Sequence, residues 1–289
     1  MKAFFRAVLA SAALAAGTLF TAQAGGVGTS KDYKGPTGLQ LYSLRDEFAK
    51  DVRSTLDQIR KYGFKYVELA GTYGWLPRDF RQALAERGLK AVSGHFAYER
   101  WRDEPELVLR DAKALGLKYA GCAWIPHQGD FTEATCLDAA RVFNRAGELA
   151  ARQGIKFFYH THGYEYQPHG GGTLFDLLMA KTDPKLVFFQ MDLLWTVFPG
   201  QDPVKLLEQY PKRWVLMHLK DLKKGVKGDL TGGTDVKNDV ILGTGQMNFP
   251  AIFKAAKKTK IKYYFIEDES PWSVTQIPQS LRFLERVSW

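Results

Sequence analysis

The chain has 289 residues, of which 45% are hydrophobic and 25% are charged, and its formal net charge is +9. This is the composition of a globular protein with a sizeable core, and it excludes a collagen-like or largely disordered chain. The basic residues are spread along the sequence instead of forming one patch, so we expect no nucleic-acid partner.

The first 24 residues are predicted to be a cleaved secretory signal peptide. A short basic start, residues 1–6, precedes an apolar stretch over residues 7–22, and residues 22–24 fit a small-x-small cleavage site before Gly25. The alternative is a membrane anchor, but the apolar stretch is shorter than the roughly 20 residues that a spanning helix needs. We therefore expect an exported protein, periplasmic or secreted, without stable membrane insertion.

Strand-like and helix-like segments alternate along the chain after a Gly-rich segment, residues 25–36, which we interpret as a linker. The predicted strands are residues 37–41, 66–69, 90–95, 119–124, 157–162, 187–192, 214–218 and 263–267. The predicted helices are residues 52–62, 78–87, 104–115, 132–153, 173–180, 203–209, 249–258 and 273–285. Four helix-to-strand junctions share the order glycine, apolar residue, lysine, in which glycine ends the helix in a left-handed conformation.

This alternation predicts an α/β fold, a (β/α)8 TIM barrel that forms a single domain over residues 37–289. The alternative is a doubly wound open sheet, which usually carries a Gly-rich phosphate-binding loop after its first strand. No such loop follows Leu41. A disulfide between Cys122 and Cys136 is conceivable in an exported protein, but we do not favour it, because the two cysteines fall in a predicted strand and in the helix that follows.

Imidazoles and carboxylates end the last four predicted strands, and the C-terminal ends of barrel strands converge on one face. They are His160, His162 and Glu165 on the fifth strand, Asp192 on the sixth, His218 on the seventh and Glu267 on the eighth. Such a mixture of nitrogen and oxygen ligands predicts a site for one divalent metal ion. Asp192 alone could equally be a helix cap, whereas Glu267 has no obvious capping role. Spacing does not decide which residue of the fifth strand completes the ion site.

Other candidate residues lie at strand ends or just beyond them. Glu68 and His95 could bind substrate hydroxyls or transfer protons, and Lys220 could stabilise an oxyanion. Aromatic and imidazole side chains near the same ends could form a wall that stacks against sugar faces, although a role in the core is equally open. These are Tyr42, Trp124, His127, His160, Trp195 and Trp272.

These segments resemble the sugar phosphate isomerase/epimerase family, which has the xylose isomerase-like TIM-barrel fold. The most specific parts of the resemblance are residues 38–45, 159–166, 218–221 and 266–268. In ketose epimerases of this superfamily, Glu, Asp, His and Glu hold an ion that is often manganese. The last three match Asp192, His218 and Glu267, whereas this chain has His-Thr-His where the first Glu is expected.

The resemblance implies one divalent ion, with manganese favoured over zinc, cobalt or magnesium, and a small sugar or keto-sugar substrate. We expect a metal-dependent isomerase, epimerase or lyase that removes a proton next to a carbonyl and stabilises an enediolate, with Glu68, His95, Lys220 and Glu267 as catalytic candidates. One alternative is a non-catalytic exported sugar-binding barrel. A second is an endonuclease IV-like phosphodiesterase, which this chain, with only six histidines, fits poorly.

Overall fold

The computed structural model describes residues 27–289, so the predicted signal peptide lies outside the described residues. The barrel strands are β1 (Thr37–Gln40), β2 (Tyr66–Leu69), β3 (Lys90–His95), β4 (Tyr119–Cys122), β5 (Lys156–His160), β6 (Val187–Asp192), β7 (Trp214–Leu219) and β8 (Tyr263–Ile266). Each strand runs parallel to its sequence neighbours, and β8 pairs back with β1, which closes the barrel. The predicted TIM barrel is confirmed.

Helices cover the outside of the barrel and connect successive strands. They are α1 (Arg45–Lys50), α2 (Val52–Lys61), α3 (Pro77–Ala85), α4 (Tyr98–Asp103), α5 (Pro105–Leu115), α6 (Glu133–Arg152), α7 (Leu174–Lys181), α8 (Leu193–Val197), α9 (Pro203–Gln209), α10 (Phe249–Ala256) and α11 (Ser273–Leu284). The short helices α1, α4 and α8 were not predicted, and each lies in the loop that follows a strand. Within residues 27–289, no helix is both long and apolar enough to cross a membrane.

Irregular segments form the rim of the barrel. β1 and β8 each end one residue earlier than predicted, and β4 and β5 each end two residues earlier. β4 ends at Cys122 and β5 ends at His160, so residues 123–124 and 161–162 belong to loops. The other short elements are 3-10 turns at Leu41–Leu44, Tyr164–Tyr166 and Val236–Asn238, and two small hairpins that pair Pro168–His169 with Gly172–Thr173 and Asp221–Leu222 with Asp239–Val240.

The predicted glycine helix ends are present in the structure. The φ angles are 91° at Gly63, 67° at Gly88, 77° at Gly116 and 71° at Gly154, all in the left-handed region that glycine adopts without steric cost. Each of these glycines turns the chain from a helix into the next barrel strand, which explains why one short sequence pattern recurs four times.

The segment predicted to be a linker packs against the barrel over its described part, residues 27–36. The Tyr33 ring stacks on Phe253 with centroids 4.4 Å apart, and the Ser30 hydroxyl donates a hydrogen bond to the Val287 carbonyl. Thr29, Ser30 and Tyr33 are buried. A free linker is therefore the wrong description of this part, because its aromatic and hydroxyl groups find partners on α10 and near the end of the chain.

The barrel interior is polar at the C-terminal ends of the strands (the upper layer) and apolar further down the strands (the lower layer). Because alternate residues of a strand face the same side, Phe158 and His160 both point inward from β5, as do Leu216 and His218 from β7. The lower layer forms a separate apolar cluster of buried residues, namely Val92, Tyr119, Phe158, Val215, Leu216 and Phe265. This cluster fills the barrel, so the chemistry is confined to the C-terminal ends of the strands.

Both cysteines are free and buried. The sulfur of Cys122 lies against the Trp124 carbonyl, and that of Cys136 lies against the Leu174 carbonyl. Burial raises the pKa of both thiols to about 12, so neither is a thiolate near neutral pH.

Candidate active site

Polar side chains from six of the eight strands meet at the C-terminal end of the barrel. They are Gln40 from β1, Glu68 from β2, His95 from β3, His160 from β5, Gln190 and Asp192 from β6, and His218 from β7, with Glu267 directly after β8. The parallel register brings them to one level, since Asp192 pairs with His218 across β6 and β7. The structure thus gathers residues that lie up to 227 positions apart in the sequence.

Asp192 uses its two carboxylate oxygens differently. Oδ1 accepts a hydrogen bond from the Trp195 N–H at 2.9 Å and caps α8, whereas Oδ2 is buried without a hydrogen-bond partner. The sequence left open whether Asp192 is a helix cap or an ion ligand, and the geometry allows both. A buried carboxylate oxygen without a donor is costly unless a cation faces it.

Three further potential ligand atoms lie around Asp192 Oδ2. His218 Nδ1 is 3.6 Å and His160 Nε2 is 3.8 Å from this oxygen, and Glu267 Oε2 is 2.9 Å from His218 Nδ1. The ligand atoms of Asp192, His218 and Glu267 all lie within 4.8 Å of one another. Two imidazoles and two carboxylates suit a divalent transition metal. The residues present therefore fit the expected ion.

The pKa shifts of His218 and Glu267 also indicate that positive charge is favoured among these carboxylates. Burial alone would lower the pKa of His218, but Glu267 and Glu68 face its ring and hold its pKa well above the usual value. Burial would raise the pKa of Glu267, but Lys220 and His218 hold it well below its usual value. A divalent ion at the same place would satisfy the same carboxylates.

Lys220 is buried among carboxylates and does not line the main cavity. Its ammonium contacts Glu269, and it lies 3.3 Å from Glu267 Oε2 and 3.6 Å from Asp239 Oδ2. Burial lowers a lysine pKa, but these carboxylates hold that of Lys220 well above its usual value. In this position Lys220 orients Glu267, and the predicted oxyanion contact would require it to move past its partners.

Glu68 lies beneath the cavity and is fully buried. It accepts hydrogen bonds from Gln40 Nε2 at 2.8 Å and from Gln190 Nε2 at 2.9 Å, and it contacts His218 Nε2. Burial raises its pKa, but His95 and His218 outweigh this and bring the pKa below its ordinary value. A carboxylate enclosed by these donors does not reach a substrate, so its position does not fit the direct proton transfer expected from the sequence.

A cavity of about 460 Å³ adjoins the four potential ligands His160, Asp192, His218 and Glu267, which are called the ion group below. Its lining includes most of the predicted aromatic and imidazole residues, namely Tyr42, His95, Trp124, His160, His162 and Trp195. Two other candidates are absent from this wall. His127 stacks on Trp124 with ring centroids 5.3 Å apart, and Trp272 is 49% exposed near the rim. An aromatic wall is therefore present, with His127 supporting it.

His162 is placed for contact with a substrate rather than with the ion. Its ring stacks on Trp195 at 4.5 Å and meets the edge of Trp124 at 5.0 Å. Its Nδ1 is buried without a hydrogen-bond partner, and burial lowers its pKa, which favours the neutral ring. A neutral imidazole in a cavity wall can accept or donate a proton.

Glu165 points away from the ion group. It lies in the 3-10 turn after β5 and is fully buried, and its Oε1 accepts a hydrogen bond from the His162 N–H at 2.9 Å. Burial raises the pKa of Glu165 to about 7. Among the described residues, the clusters that could hold an ion do not include Glu165 or His162. Of the three candidates on the fifth strand, His160 is the one that lies beside Asp192.

Several residues of the site were missed by the sequence interpretation. Glu269, which follows β8, lines the cavity. Residues 232–234, which belong to the long connection after β7, also line it. Gln40 and Gln190 hold Glu68. The alternation of β6 carried a signal for Gln190, which lies two residues before Asp192 and so faces the same side. No local pattern marked residues 232–234, because the path of a long loop depends on tertiary packing.

Comparison with known proteins agrees with the fold. Residues 56–287 match the family described as xylose isomerase-like TIM barrel. The chain is similar to the inosose dehydratase of Clostridium botulinum, with 28% identity over 245 residues that cover 73% of this chain and 80% of that protein. It is also similar to the inosose dehydratase of Clostridium beijerinckii, with 32% identity over 224 residues that cover 66% of this chain and 73% of that protein.

A solved structure shows the same architecture over nearly the whole chain. It is a sugar phosphate isomerase/epimerase from Parabacteroides distasonis, with 27% sequence identity and a TM-score of 0.71. The superposition covers 88% of this chain and 96% of that one.

Proposed function

Because the chain belongs to the xylose isomerase-like TIM barrel family, we propose that it is a metal-dependent lyase of the dehydratase type that acts on a keto-sugar or keto-cyclitol. The similar proteins named inosose dehydratases support a carbohydrate-acting enzyme that eliminates water. The observation that carries the proposal is the meeting of the ion group with a cavity walled by tryptophans and imidazoles at one end of the barrel. In the ion group, His160 lies beside the cluster of Asp192, His218 and Glu267.

The ion ligands in this proposal are His160, Asp192, His218 and Glu267. A bound divalent ion acts as a Lewis acid that polarises a substrate carbonyl and so acidifies the neighbouring C–H. The family resemblance favoured manganese, but two imidazoles among the ligands make zinc, cobalt or iron at least as suitable.

The residues of the cavity account for orientation and proton transfer. His95 and His162 both line the cavity, and each can exchange a proton with the substrate, one removing the hydrogen next to the carbonyl and the other protonating the departing hydroxyl. The net result is the loss of one water. Trp124 and Trp195 offer flat surfaces for a carbohydrate ring and exclude solvent from it.

The cavity chemistry favours an unphosphorylated substrate. The described residues that line it include Glu267 and Glu269 but no arginine or lysine. Phosphate recognition in proteins relies on arginine, lysine or helix N-termini, and a polyanion such as DNA would be repelled by the two carboxylates. This argues against the phosphodiesterase alternative, and the clustering of His160, Asp192, His218 and Glu267 argues for an enzyme over a passive binding protein.

An isomerase or epimerase is the second candidate, favoured by the 27% identity to the Parabacteroides protein. The first experiment is metal analysis of the purified protein, followed by turnover of inosose and other keto-carbohydrates in deuterated water. A dehydratase releases one water and loses the hydrogen next to the carbonyl. Solvent exchange with an unchanged molecular formula supports an isomerase or epimerase that acts by proton abstraction. Turnover without exchange or loss of that hydrogen contradicts proton abstraction and favours direct hydride transfer between carbons.

A further inference from the structure

A second layer of polar side chains lies beneath the ion group and connects four strands. Glu68 is at its centre, fully buried, with Gln40 Nε2 at 2.8 Å from its Oε1. Gln190 Nε2 lies 2.9 Å from Oε2 and 3.1 Å from Oε1, and His218 Nε2 also contacts Oε1. Glu68, Gln190 and His218 do not line the cavity, so the question is what the layer does for the residues that hold the ion.

Glu68 determines the orientation of the Gln190 amide. An ionised carboxylate only accepts hydrogen bonds, so the amide nitrogen of Gln190 must face it. The amide oxygen then faces the opposite way, where it lies 3.1 Å from His160 Nδ1 and 3.0 Å from His95 Nε2. An amide oxygen also only accepts, and therefore both of these ring nitrogens must carry hydrogen.

The same reasoning determines which ring nitrogens of His160 and His218 face the carboxylates. His160 bears its hydrogen on Nδ1, so its Nε2 presents a lone pair 3.8 Å from Asp192 Oδ2. His218 donates from Nε2 to Glu68, so its Nδ1 is the nitrogen that faces the carboxylates of Asp192 and Glu267. The layer thereby turns His160 Nε2, His218 Nδ1 and the carboxylates of Asp192 and Glu267 toward one another, and an ion bound among them would replace the hydrogen that His218 Nδ1 donates to Glu267.

We propose that Glu68 and Gln190 are positioning residues that set the ring tautomers of His160 and His218, and that they thereby make His160 Nε2 the fourth ligand of the ion. This inference rests on the proposed function only in that an ion binds at this place. It assigns Glu68 a role that needs no contact with substrate, and it separates His160, an ion ligand, from His162, which faces the cavity.

The test compares two glutamines that donate to the same carboxylate. Gln190→Met removes the amide that orients His160, whereas Gln40→Met removes a donor to Glu68 that contacts no imidazole. Binding of Zn²⁺ and Co²⁺ alone is measured by competition with a chromophoric chelator. We expect Gln190→Met to weaken affinity about 10- to 100-fold. Gln40→Met should change it by less than about threefold, because the orientation of Gln190 is retained.

A measurement on the unaltered protein keeps the inference testable if Gln190→Met does not fold. Nitrogen-15 chemical shifts of the Zn²⁺-loaded wild-type protein report which ring nitrogen of each histidine carries hydrogen. We expect hydrogen on Nδ1 of His160 and on Nε2 of both His95 and His218. Hydrogen on Nε2 of His160 overturns the inference, as does an equal loss of affinity in the two glutamine variants.

The number of ions bound per chain provides a further test. Two ions per chain overturn the inference, because a second ion would need the nitrogens of His95 and His218 that are assigned here as hydrogen-bond donors. Failure of the proposed function is a separate result. In that case the wild-type protein binds no ion, while the tautomer of His160 in the ion-free protein still decides whether Gln190 orients the ring.

Discussion

Replacing Glu165 with glutamine should make the protein less sensitive to rising pH. Burial raises the pKa of Glu165 to about 7, against 4.5 for an ordinary glutamate. Between these two values the folded protein holds a proton that the unfolded chain has released, so the contribution of Glu165 to stability falls as pH rises through this window. The stabilising contribution of Glu165 is fully present below about pH 4.5 and fully lost above about pH 7.

The size of the effect follows from the shift. Each pKa unit corresponds to about 1.4 kcal/mol, so the loss between pH 4.5 and pH 8 is about 3 kcal/mol. Glutamine is neutral at every pH and keeps the acceptor for the His162 N–H, so the variant escapes this loss. At about 2 °C per kcal/mol in a domain of this size, the melting temperature of the variant relative to the wild type should rise by roughly 6 °C across the window.

Thermal unfolding of both proteins at several pH values between 4.5 and 8 measures this directly. Any constant cost of the buried amide cancels, because only the pH dependence of the difference is compared. A difference that stays flat across the window would mean that Glu165 ionises like an exposed glutamate, and the reasoning would be refuted. Bound metal should be unchanged in the variant, whereas its loss would place Glu165 in the ion site after all.

Three further predictions concern the ion, the substrate and the N-terminus. Asp192→Asn should lower ion affinity at least about tenfold, measured by metal analysis after mild chelation, and should lower kcat about 100-fold. A variant that keeps its ion as tightly as the parent contradicts the ligand set. Trp124→Ala should raise KM about tenfold with kcat within about threefold, since a stacking surface binds substrate and transition state alike, and a selective loss of kcat would contradict this. N-terminal sequencing of the exported protein should begin at Gly25, and recovery of intact Met1 from the soluble exported fraction would contradict export with cleavage.

The sequence was sufficient to predict the barrel and the core of its ion group. Strand spacing and recurrent helix-ending glycines indicate βα units, and barrel geometry brings the strand ends together whatever the loops do. Asp192, His218 and Glu267 each lie at a strand end on an inward-facing position, so their meeting follows from two-residue alternation. The same argument explains why His160, on the inward face of β5, lies beside them.

What the sequence could not provide depends on loops and on contacts between distant strands. Glu165 lies only five residues beyond His160, but the 3-10 turn after β5 directs its carboxylate into the protein interior. The function of Gln190 arises only from its simultaneous contacts with Glu68, His95 and His160, which come from three other strands. Glu68 had the right strand position for proton transfer, and only its complete burial shows that it supports the site from below.

The packing of residues 27–36 against the end of the chain has a consequence for how the protein folds. Ser30 and Val287 are hydrogen-bonded across 257 positions, and β1 has β8 as one of its two neighbours. Contacts of such long range form late and make folding slow, because most of the intervening chain must already be ordered. A chain shortened before β8 would therefore lose more than one strand and one helix, since β1 would keep an unpaired edge and the segment ahead of it would keep exposed apolar surface, and both invite aggregation.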